Sequence, residues 1–281
     1  MLENQSLLKA VLEKPDDDAP RLAYADWCEK QTDEIVRARG EFIRLDIELP
    51  KLNYGNWQPG EDSDQSARVR LNGNWITKSG RWYELIKQYG SIWASPFKSM
   101  AAEWEFNRGF VAGVKLSAQS FLENGRRLID AAPIKLISLT EVLPVASELL
   151  ASPLLDNFGA LNLMLNGLTD DHVTALIQSP HLKNLWWLAL GNNKIGFAGV
   201  EALAKSPHFR QLVFLGLTGN PCDPMESVSV EGLGIQDIRD TPEGELLERK
   251  YGPIPWLHYL TNSVANHPPS PFLRPPPVPG R

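Results

Sequence analysis

The sequence contains few of the residues and segments that define secreted, metal-dependent or membrane-spanning proteins. Its 281 residues include only two cysteines, Cys28 and Cys222, which are too few for a disulfide framework and too far apart for a zinc site. No apolar run approaches the ~18 residues that a transmembrane helix needs, and residues 1–18 mix polar and apolar side chains, unlike a signal peptide. These absences predict a soluble protein of the reducing cytoplasm, without a membrane partner.

The chain also lacks an excess of positive charge. Its 28 Lys and Arg residues stand against 34 Asp and Glu residues, which gives a formal net charge of −6. Nucleic-acid-binding domains normally present a basic surface to the phosphate backbone. The composition therefore argues against a nucleic-acid partner and leaves an unknown protein partner as the expectation. The oligomeric state stays open, with a monomer favoured.

One apolar pattern occurs three times at a fixed step of 27 residues. The copies span residues 158–168, 185–195 and 212–222, and each follows the order Leu-x-x-Leu-x-Leu-x-x-Asn-x-Leu with apolar replacements. A Ser-Pro pair precedes every copy at the same step. The pattern is similar to the leucine-rich repeat in its long, ribonuclease-inhibitor-like form, which contains one helix in each unit.

The chain divides on sequence grounds into four segments. They are a helical module over 1–49, a connecting region over 50–132, the repeat region with its C-terminal cap over 133–251, and a proline-rich tail over 252–281. The predicted fold class is α/β: a helical N-terminal module joined to a short leucine-rich-repeat solenoid, with a parallel sheet on the concave face. The first repeat begins at Pro133, is shortened, and has Val142 in place of the asparagine.

The connecting region alternates polar and amphipathic stretches. In order, these are a polar insert around 50–80, helical spacing over 81–93, a strand over 106–116 and an amphipathic helix over 118–131. The strand is expected to contain a turn or bulge at Gly109 and Gly113. In the helical module, Gly40 lies within a buried apolar stripe, which predicts a close contact between helices.

Three stretches of the N-terminal segment carry a recognisable set of residues. They run from Leu7 to Leu12, from Pro15 to Trp27 and from Arg39 to Leu45. In these residues the segment resembles the repeat-companion domain, a bacterial module that precedes leucine-rich repeats, and residues 81–113 are similar to the connecting region of the same proteins. The resemblance implies the architecture above but no chemistry, because the family has no established activity. The insert at 53–79 departs from the family's pattern.

Three asparagines occupy the same position in the three repeat copies. Asn166, Asn193 and Asn220 invite a ligand-binding hypothesis. In this type of repeat, however, the amide turns inward and bonds to backbone groups of neighbouring turns that water does not reach. The three residues are therefore predicted to form a structural ladder.

No arrangement of acidic side chains predicts a catalytic site. Asp26 is expected to form a structural ion pair with Arg21, Arg37 or Arg44 that holds three helices together. The alternative is a hydrolase or transferase with an acidic site in the N-terminal module, in which Asp26 and the acids of residues 13–18 are central.

The histidines and cysteines do not predict a metal, cofactor or nucleophile. His181 and His208 share a repeat position and are expected to stack ~5 Å apart, but no third ligand joins them. Cys222 is predicted to be a core residue, because the other copies carry Leu or Ile at its position. Cys28 has no histidine within the same element, which argues against a nucleophilic role.

The strand positions that face away from the repeat core carry no charge. The predicted protein-binding residues of this concave face are Leu136, Ala160, Asn162, Met164, Trp187, Phe214 and Thr218. Four of them form an apolar row that ends in the adjacent aromatics Trp187 and Phe214, and such a row is typical of protein interfaces. The alternative is that the chain covers this row itself, with the polar insert or with the tail that carries Phe272.

The sequence therefore predicts a non-enzymatic protein-binding scaffold or adaptor that uses the concave sheet. The tail contains one further recognition pattern, Pro-x-x-Pro-x-Arg at residues 276–281, of the kind that aromatic grooves read. Short proline motifs occur frequently, so the expectation is a disordered tail without a dedicated reader.

Overall fold

A computed structural model describes residues 3–52, 73–222, 242–254, 256 and 271–272. Most of the polar insert and the proline motif of the tail lie outside the described residues. The chain is α/β, with helices around a six-stranded and mostly parallel sheet.

The chain divides into two compact units. The first comprises residues 1–99, 104–112 and 130–133, and the second comprises residues 100–103, 113–129 and 134–281. These borders differ from those drawn on the sequence, since the N-terminal helices and the helix after the insert belong to one unit. Each unit is considered by itself below.

Four helices make up most of the described part of the first unit. They are α1 (Gln5–Glu13), α2 (Asp18–Glu29), α3 (Glu34–Glu48) and α4 (Gly73–Trp93). The side chains of Asn4, Asp17 and Asp33 accept hydrogen bonds from first-turn amides of α1, α2 and α3. Such N-caps satisfy donors that have no partner within the helix. Helix α4 begins earlier than residue 81, where the spacing predicted it.

Helix α3 is buried on two faces. On one face, Phe42 belongs to an apolar cluster that includes Trp93 of α4. On the other face, Ile43 belongs to a second cluster with Val11 of α1 and Tyr24 of α2. Phe42, Ile43 and Val11 are fully buried, so α3 forms the centre of this unit.

Helices α2 and α3 approach each other closely at Gly40, as its position predicted. A Cβ atom at Gly40 would lie 2.8 Å from the Ala25 carbonyl oxygen and 3.1 Å from Cys28 Cβ. A contact below 3.0 Å with a backbone atom forces the helices apart, so only glycine fits. This explains why a residue of poor helix propensity stands in the middle of α3.

Two strands follow α4, namely β1 (Glu103–Asn107) and β2 (Phe110–Ser117). Arg108 and Gly109 join them with φ angles of 53° and 83°, the left-handed geometry of a tight two-residue hairpin. The turn predicted at Gly109 is therefore present. The turn predicted at Gly113 is wrong, because Gly113 lies inside β2 and pairs in register with Leu136.

The remaining strands and helices alternate along the chain. After α5 (Ala118–Ala131), the strands are β3 (Leu136–Thr140), β4 (Ala160–Asn162), β5 (Trp187–Ala189) and β6 (Phe214–Gly216). The helices that follow them are α6 (Ala146–Leu150), α7 (Asp170–Gln178), α8 (Phe197–Lys205) and α9 (Pro242–Tyr251). The strand order in the sheet is β1-β2-β3-β4-β5-β6, so that each strand lies next to the one before it in the chain.

The register of the parallel strands follows the sequence repeat. Ala160 pairs with Trp187, and Trp187 pairs with Phe214, so β4, β5 and β6 are offset by the step seen in the sequence. Leu136 pairs with Ala160 at a shorter step, which agrees with the five-residue length of α6.

The apolar positions of the repeat form the core of the second unit. Leu188, Leu190 and Leu215 are fully buried, as are Val200 and Leu203 of α8. The alternation of strand side chains sends these leucines to one side and leaves the intervening residues on the other. Among the helices that the structure describes, none combines the length and the apolar character that crossing a membrane requires.

The contact at Gly40 generates a stability test. We expect Gly40→Ala to lower the free energy of unfolding by about 1–3 kcal/mol, because the added methyl group overpacks against the α2 backbone. Gly80→Ala is the matched control, since a Cβ atom at Gly80 in α4 meets nothing within 4 Å. There the better helix propensity of alanine should stabilise the protein by up to ~1 kcal/mol. Urea unfolding of both variants makes the comparison, and effects of the same sign would contradict the close contact.

Candidate functional site

The sheet assembles the apolar row that the sequence singled out. Leu136, Ala160, Trp187 and Phe214 stand side by side on β3 to β6. The rings of Trp187 and Phe214 stack with their centroids 4.8 Å apart and an interplanar angle of 23°. Stacking of this kind contributes about 0.5–1.5 kcal/mol beyond the burial of the ring surfaces.

This row is buried and does not form an open surface. Trp187 is 8% exposed and Phe214 is 9% exposed, and the side chains of Leu136 and Ala160 are buried as well. A partner that docks on an apolar row requires that the row be accessible. The burial therefore favours the alternative in which the chain itself covers the row.

One segment of the tail lies near the β3 end of the row. Phe272 is buried, and its carbonyl oxygen accepts a hydrogen bond from Lys135 Nζ at 3.4 Å. Because Lys135 directly precedes Leu136, this contact brings the tail to within the length of a lysine side chain of the row.

Three other predicted positions lie at or beyond the carboxyl ends of strands and are accessible. Met164 is 36% exposed, Thr218 is exposed, and Asn162 is half-buried. Asn162 Oδ1 accepts a hydrogen bond from the Met164 N–H group at 3.0 Å, which orders the turn after β4. Leu165 is 78% exposed and was missed by the sequence analysis. The sequence did contain a signal that this position is exposed, because the other two copies carry the turn-forming residues Asn and Gly there.

The three asparagines join the repeats through buried hydrogen bonds. Asn193 Oδ1 accepts from the backbone N–H groups of Asn166 and Leu168 at 3.0 and 3.1 Å, and Nδ2 donates to the Leu190 carbonyl at 2.7 Å. Asn166 and Asn220 bond to their neighbouring turns in the same manner. Since all three residues are at most 9% exposed, their amides serve the backbone.

The residue before each ladder position has a left-handed backbone conformation. Leu165, Asn192 and Gly219 have φ angles of 61°, 53° and 74°, and Glu141 in the shortened repeat has a φ of 55°. This conformation turns the chain sharply where the strand ends. The following side chain then points inward, where the asparagine amide meets the backbone of the adjacent repeat.

Asp26 pairs with one of the three arginines that the sequence offered. Its carboxylate forms an ion pair with Arg44, and Arg44 Nε also bonds to Glu29 Oε1 at 2.7 Å. Arg21 and Arg37 donate instead to backbone carbonyl oxygens. The pair therefore connects α2 with α3, and the prediction that it holds three helices together is wrong.

The acids of residues 13–18 also have structural partners. Asp17 caps α2, and Asp18 pairs with Lys51 at 2.9 Å and with Arg108. Burial raises the pKa of the Asp18 carboxyl, but the hydrogen bonds from Lys51 and Arg108 outweigh it and hold the pKa below the ordinary value. A carboxyl that acts as a general acid needs a raised pKa. This geometry does not favour the hydrolase or transferase alternative.

Asp46 is a charged residue of the first unit that the sequence analysis missed. It lies on α3 and accepts hydrogen bonds from the Gly109 N–H group at 2.7 Å and from Trp82 Nε1 at 3.0 Å. Burial raises the pKa of its carboxyl above the ordinary value, and these hydrogen bonds counteract only part of that increase. The carboxylate holds the turn between β1 and β2 against α3, which is a structural role.

The two aligned histidines have different surroundings. His181 Nδ1 lies 2.9 Å from Asp156 Oδ2, whereas the ring of His208 packs edge-on against Phe209. Within the described ranges, no group of three or more His, Cys, Asp or Glu side chains is placed to hold a metal ion.

Cys28 does not have the surroundings of a reactive thiol. Burial raises the pKa of Cys28 to about 12, so the thiol stays protonated near neutral pH and is a poor nucleophile. Cys222 is half-buried, and its prediction as a core residue is wrong. It belongs to the last of the three repeat copies.

No protein-family model and no curated protein matches the chain. In the second unit, the features that bear on function are the buried aromatic row, the accessible strand ends and the asparagine ladder.

The ladder leads to a prediction about Asn193. We expect Asn193→Ala to lower the free energy of unfolding by about 1–3 kcal/mol, because buried backbone groups lose their partner. Asn193→Asp should do no better, since it places a charge at the same buried position. Asn184→Ala is the control, because the Asn184 amide is exposed and donates a single backbone hydrogen bond. If Asn193→Ala and Asn184→Ala have the same melting temperature, the Asn193 amide does not have the structural role described above.

The covered row leads to a second prediction. We expect Trp187→Ala to destabilise the protein by about 3–5 kcal/mol, because it leaves a cavity beside Phe214. Met164→Ala is the control on the same side of the sheet, and its partial exposure should limit the change to about 0.5 kcal/mol. Chemical unfolding measures both values. A Trp187→Ala variant as stable as the unaltered protein would mean that the row faces solvent.

Proposed function

We propose that the second unit is a short leucine-rich-repeat solenoid and that the protein is a non-enzymatic scaffold or adaptor that binds a protein partner on the sheet side. The observation that carries this proposal is the parallel sheet from β3 to β6. Its register follows the sequence repeat, and the residues on its outward side are uncharged. Solenoids of this kind offer an extended concave surface for binding.

The proposed contact surface consists of the accessible strand ends and not of the aromatic row. Met164, Leu165 and Thr218 present apolar and neutral polar groups there. The thioether of Met164 is flexible and adapts to different partner surfaces. The stacked pair of Trp187 and Phe214 acts as a rigid base for this surface, because both rings are buried.

We also propose that the first unit is a repeat-companion module and that the protein works in the cytoplasm. The resemblance in residues 7–45 supports the first statement. Cys28 and Cys222 do not form a disulfide bond, which suits a reducing compartment. Neither statement assigns chemistry to the first unit.

A charge placed on the proposed surface tests the function. We expect Thr218→Glu to weaken partner binding at least about tenfold, because an unpaired charge in an interface costs ~1.4 kcal/mol or more. Thr174→Glu is the matched control, since Thr174 is exposed on α7, on the helix side. The purified protein is first immobilised, and the proteins that it retains from an extract of the cells that make this chain are identified. The affinity of the purified partner is then measured for each variant.

Binding must fall for Thr218→Glu alone, while both variants melt at the temperature of the unaltered protein. If Thr218→Glu is unstable, Met164→Glu repeats the test at another accessible strand end. A partner that binds all variants equally does not use the sheet side, and the proposal would then be wrong.

A further inference from the structure

A cavity of about 210 Å³ lies within the first unit. Its lining includes the aromatic residues Tyr24, Trp93, Phe97 and Phe110 and the charged residues Arg39, Glu3 and Asp130. Glu3 and Asp130 are exposed to solvent, whereas Arg39 is buried. The cavity therefore has apolar walls, acidic groups that reach water and one cation inside.

Arg39 is the unusual member of this lining. Its side chain is only 7% exposed, and its buried Nη1 atom has no hydrogen-bond partner among the described residues. Leaving a buried charged donor without an acceptor costs more free energy than leaving a neutral donor without one. Buried polar groups without a partner are rare in native proteins and require a specific explanation.

Aromatic rings surround the guanidinium without satisfying this donor. Arg39 Cζ lies 5.0 Å from the ring centroid of Trp93 and 5.3 Å from those of Phe106 and Phe110. Rings attract a cation over their faces, but guanidinium N–H groups point outward in their own plane and need an acceptor. Burial lowers the pKa of Arg39 to about 10, so the side chain still carries its charge at pH 7.

The size and the charges of the cavity limit what the acceptor can be. At ~30 Å³ for each molecule, its volume equals about seven waters, so the cavity has room for a ligand larger than a single water. The volume is also smaller than the ~300–1,000 Å³ of pockets for drug-sized ligands. Arg39 supplies one cation to the cavity, and a doubly charged phosphate would also meet the carboxylate of Glu3. A monocarboxylate that also carries an ammonium group suits these charges better.

We propose that the cavity binds a small zwitterionic carboxylate of the size of a free amino acid with an apolar side chain. The carboxylate accepts hydrogen bonds from Arg39 Nη1, the ammonium group faces Glu3, and the side chain packs against Trp93 and Phe110. Guanidinium–carboxylate hydrogen bonds are charge-assisted and therefore stronger than neutral ones. The proposal is independent of the protein-binding function, because its residues all belong to the first unit.

An NMR titration of the full chain with three matched compounds tests the proposal. L-Leucine carries both charges, 4-methylpentanoate lacks the ammonium group, and L-leucinamide lacks the carboxylate. We expect a saturable shift of the Trp93 indole N–H signal with L-leucine, binding at least about threefold weaker with 4-methylpentanoate, and no saturation with L-leucinamide up to about 10 mM. The indole signal of Trp186, which belongs to the second unit, serves as the reference and should not move.

A pair of variants on α3 assigns the effect to the cavity. Arg39→Gln should abolish the Trp93 shift, whereas Arg37→Gln should leave it unchanged, since Arg37 is exposed on the same helix. If Arg39→Gln does not fold, Ala131→Trp replaces it, because Ala131 lines the cavity and is half-buried. The larger side chain fills the space and leaves Arg39 in place.

Several outcomes would overturn the proposal. If L-leucinamide binds as tightly as L-leucine, the ligand does not need a carboxylate. If 4-methylpentanoate binds as tightly as L-leucine, the ligand does not need an ammonium group and the zwitterionic part of the proposal is wrong. Full binding by the folded Arg39→Gln variant, or by Ala131→Trp, places the ligand elsewhere. If L-leucine causes no saturable shift, the cavity holds water and does not bind this class of ligand.

Discussion

The second unit depends on the hydrogen bonds of three buried asparagine amides. Strands β4, β5 and β6 have three residues each, so their ladder leaves backbone groups of the adjoining turns without a strand partner. Each amide offers an acceptor to one turn and donors to others, and the left-handed residue before it sets its direction. A buried backbone group without a partner costs about 1–3 kcal/mol. The three copies differ at many other positions, yet all carry asparagine here.

In the first unit, Asp46 and the two buried arginines Arg21 and Arg39 make different sets of hydrogen bonds. Asp46 accepts hydrogen bonds from the turn between β1 and β2 and from an indole, and the two terminal nitrogens of Arg21 donate to carbonyl oxygens. Arg39 is buried in the same unit, but its Nη1 atom meets no acceptor in the described part of the chain. Arg21 Nε also lacks an acceptor there, so the two arginines differ in their terminal nitrogens: both of those of Arg21 are bonded to the backbone, whereas Nη1 of Arg39 is not.

The burial of the aromatic row changes how the sheet side is able to bind. Trp187 and Phe214 gain stacking and burial, which stabilises the sheet and removes them from direct contact with a partner. The accessible groups lie instead where the strands end, at Met164, Leu165 and Thr218. Recognition there would depend on shape and on neutral polar contacts, whereas the cavity of the first unit would select its ligand by charge. The two proposed sites therefore call for different chemistry.

The sequence by itself determined the features that depend on neighbouring residues. Helices α1 to α3 follow from apolar spacing and from caps such as Asp17 and Asp33, and the offset of β4 to β6 follows from the repeat step, because period and capping are local properties. Only the tertiary structure decided that Asp26 pairs with Arg44, that Gly113 continues a strand, that Trp187 is covered and that Arg39 lacks an acceptor. These outcomes depend on which side chains meet across long stretches of chain, and a periodic pattern specifies which face a residue occupies but not what lies opposite it.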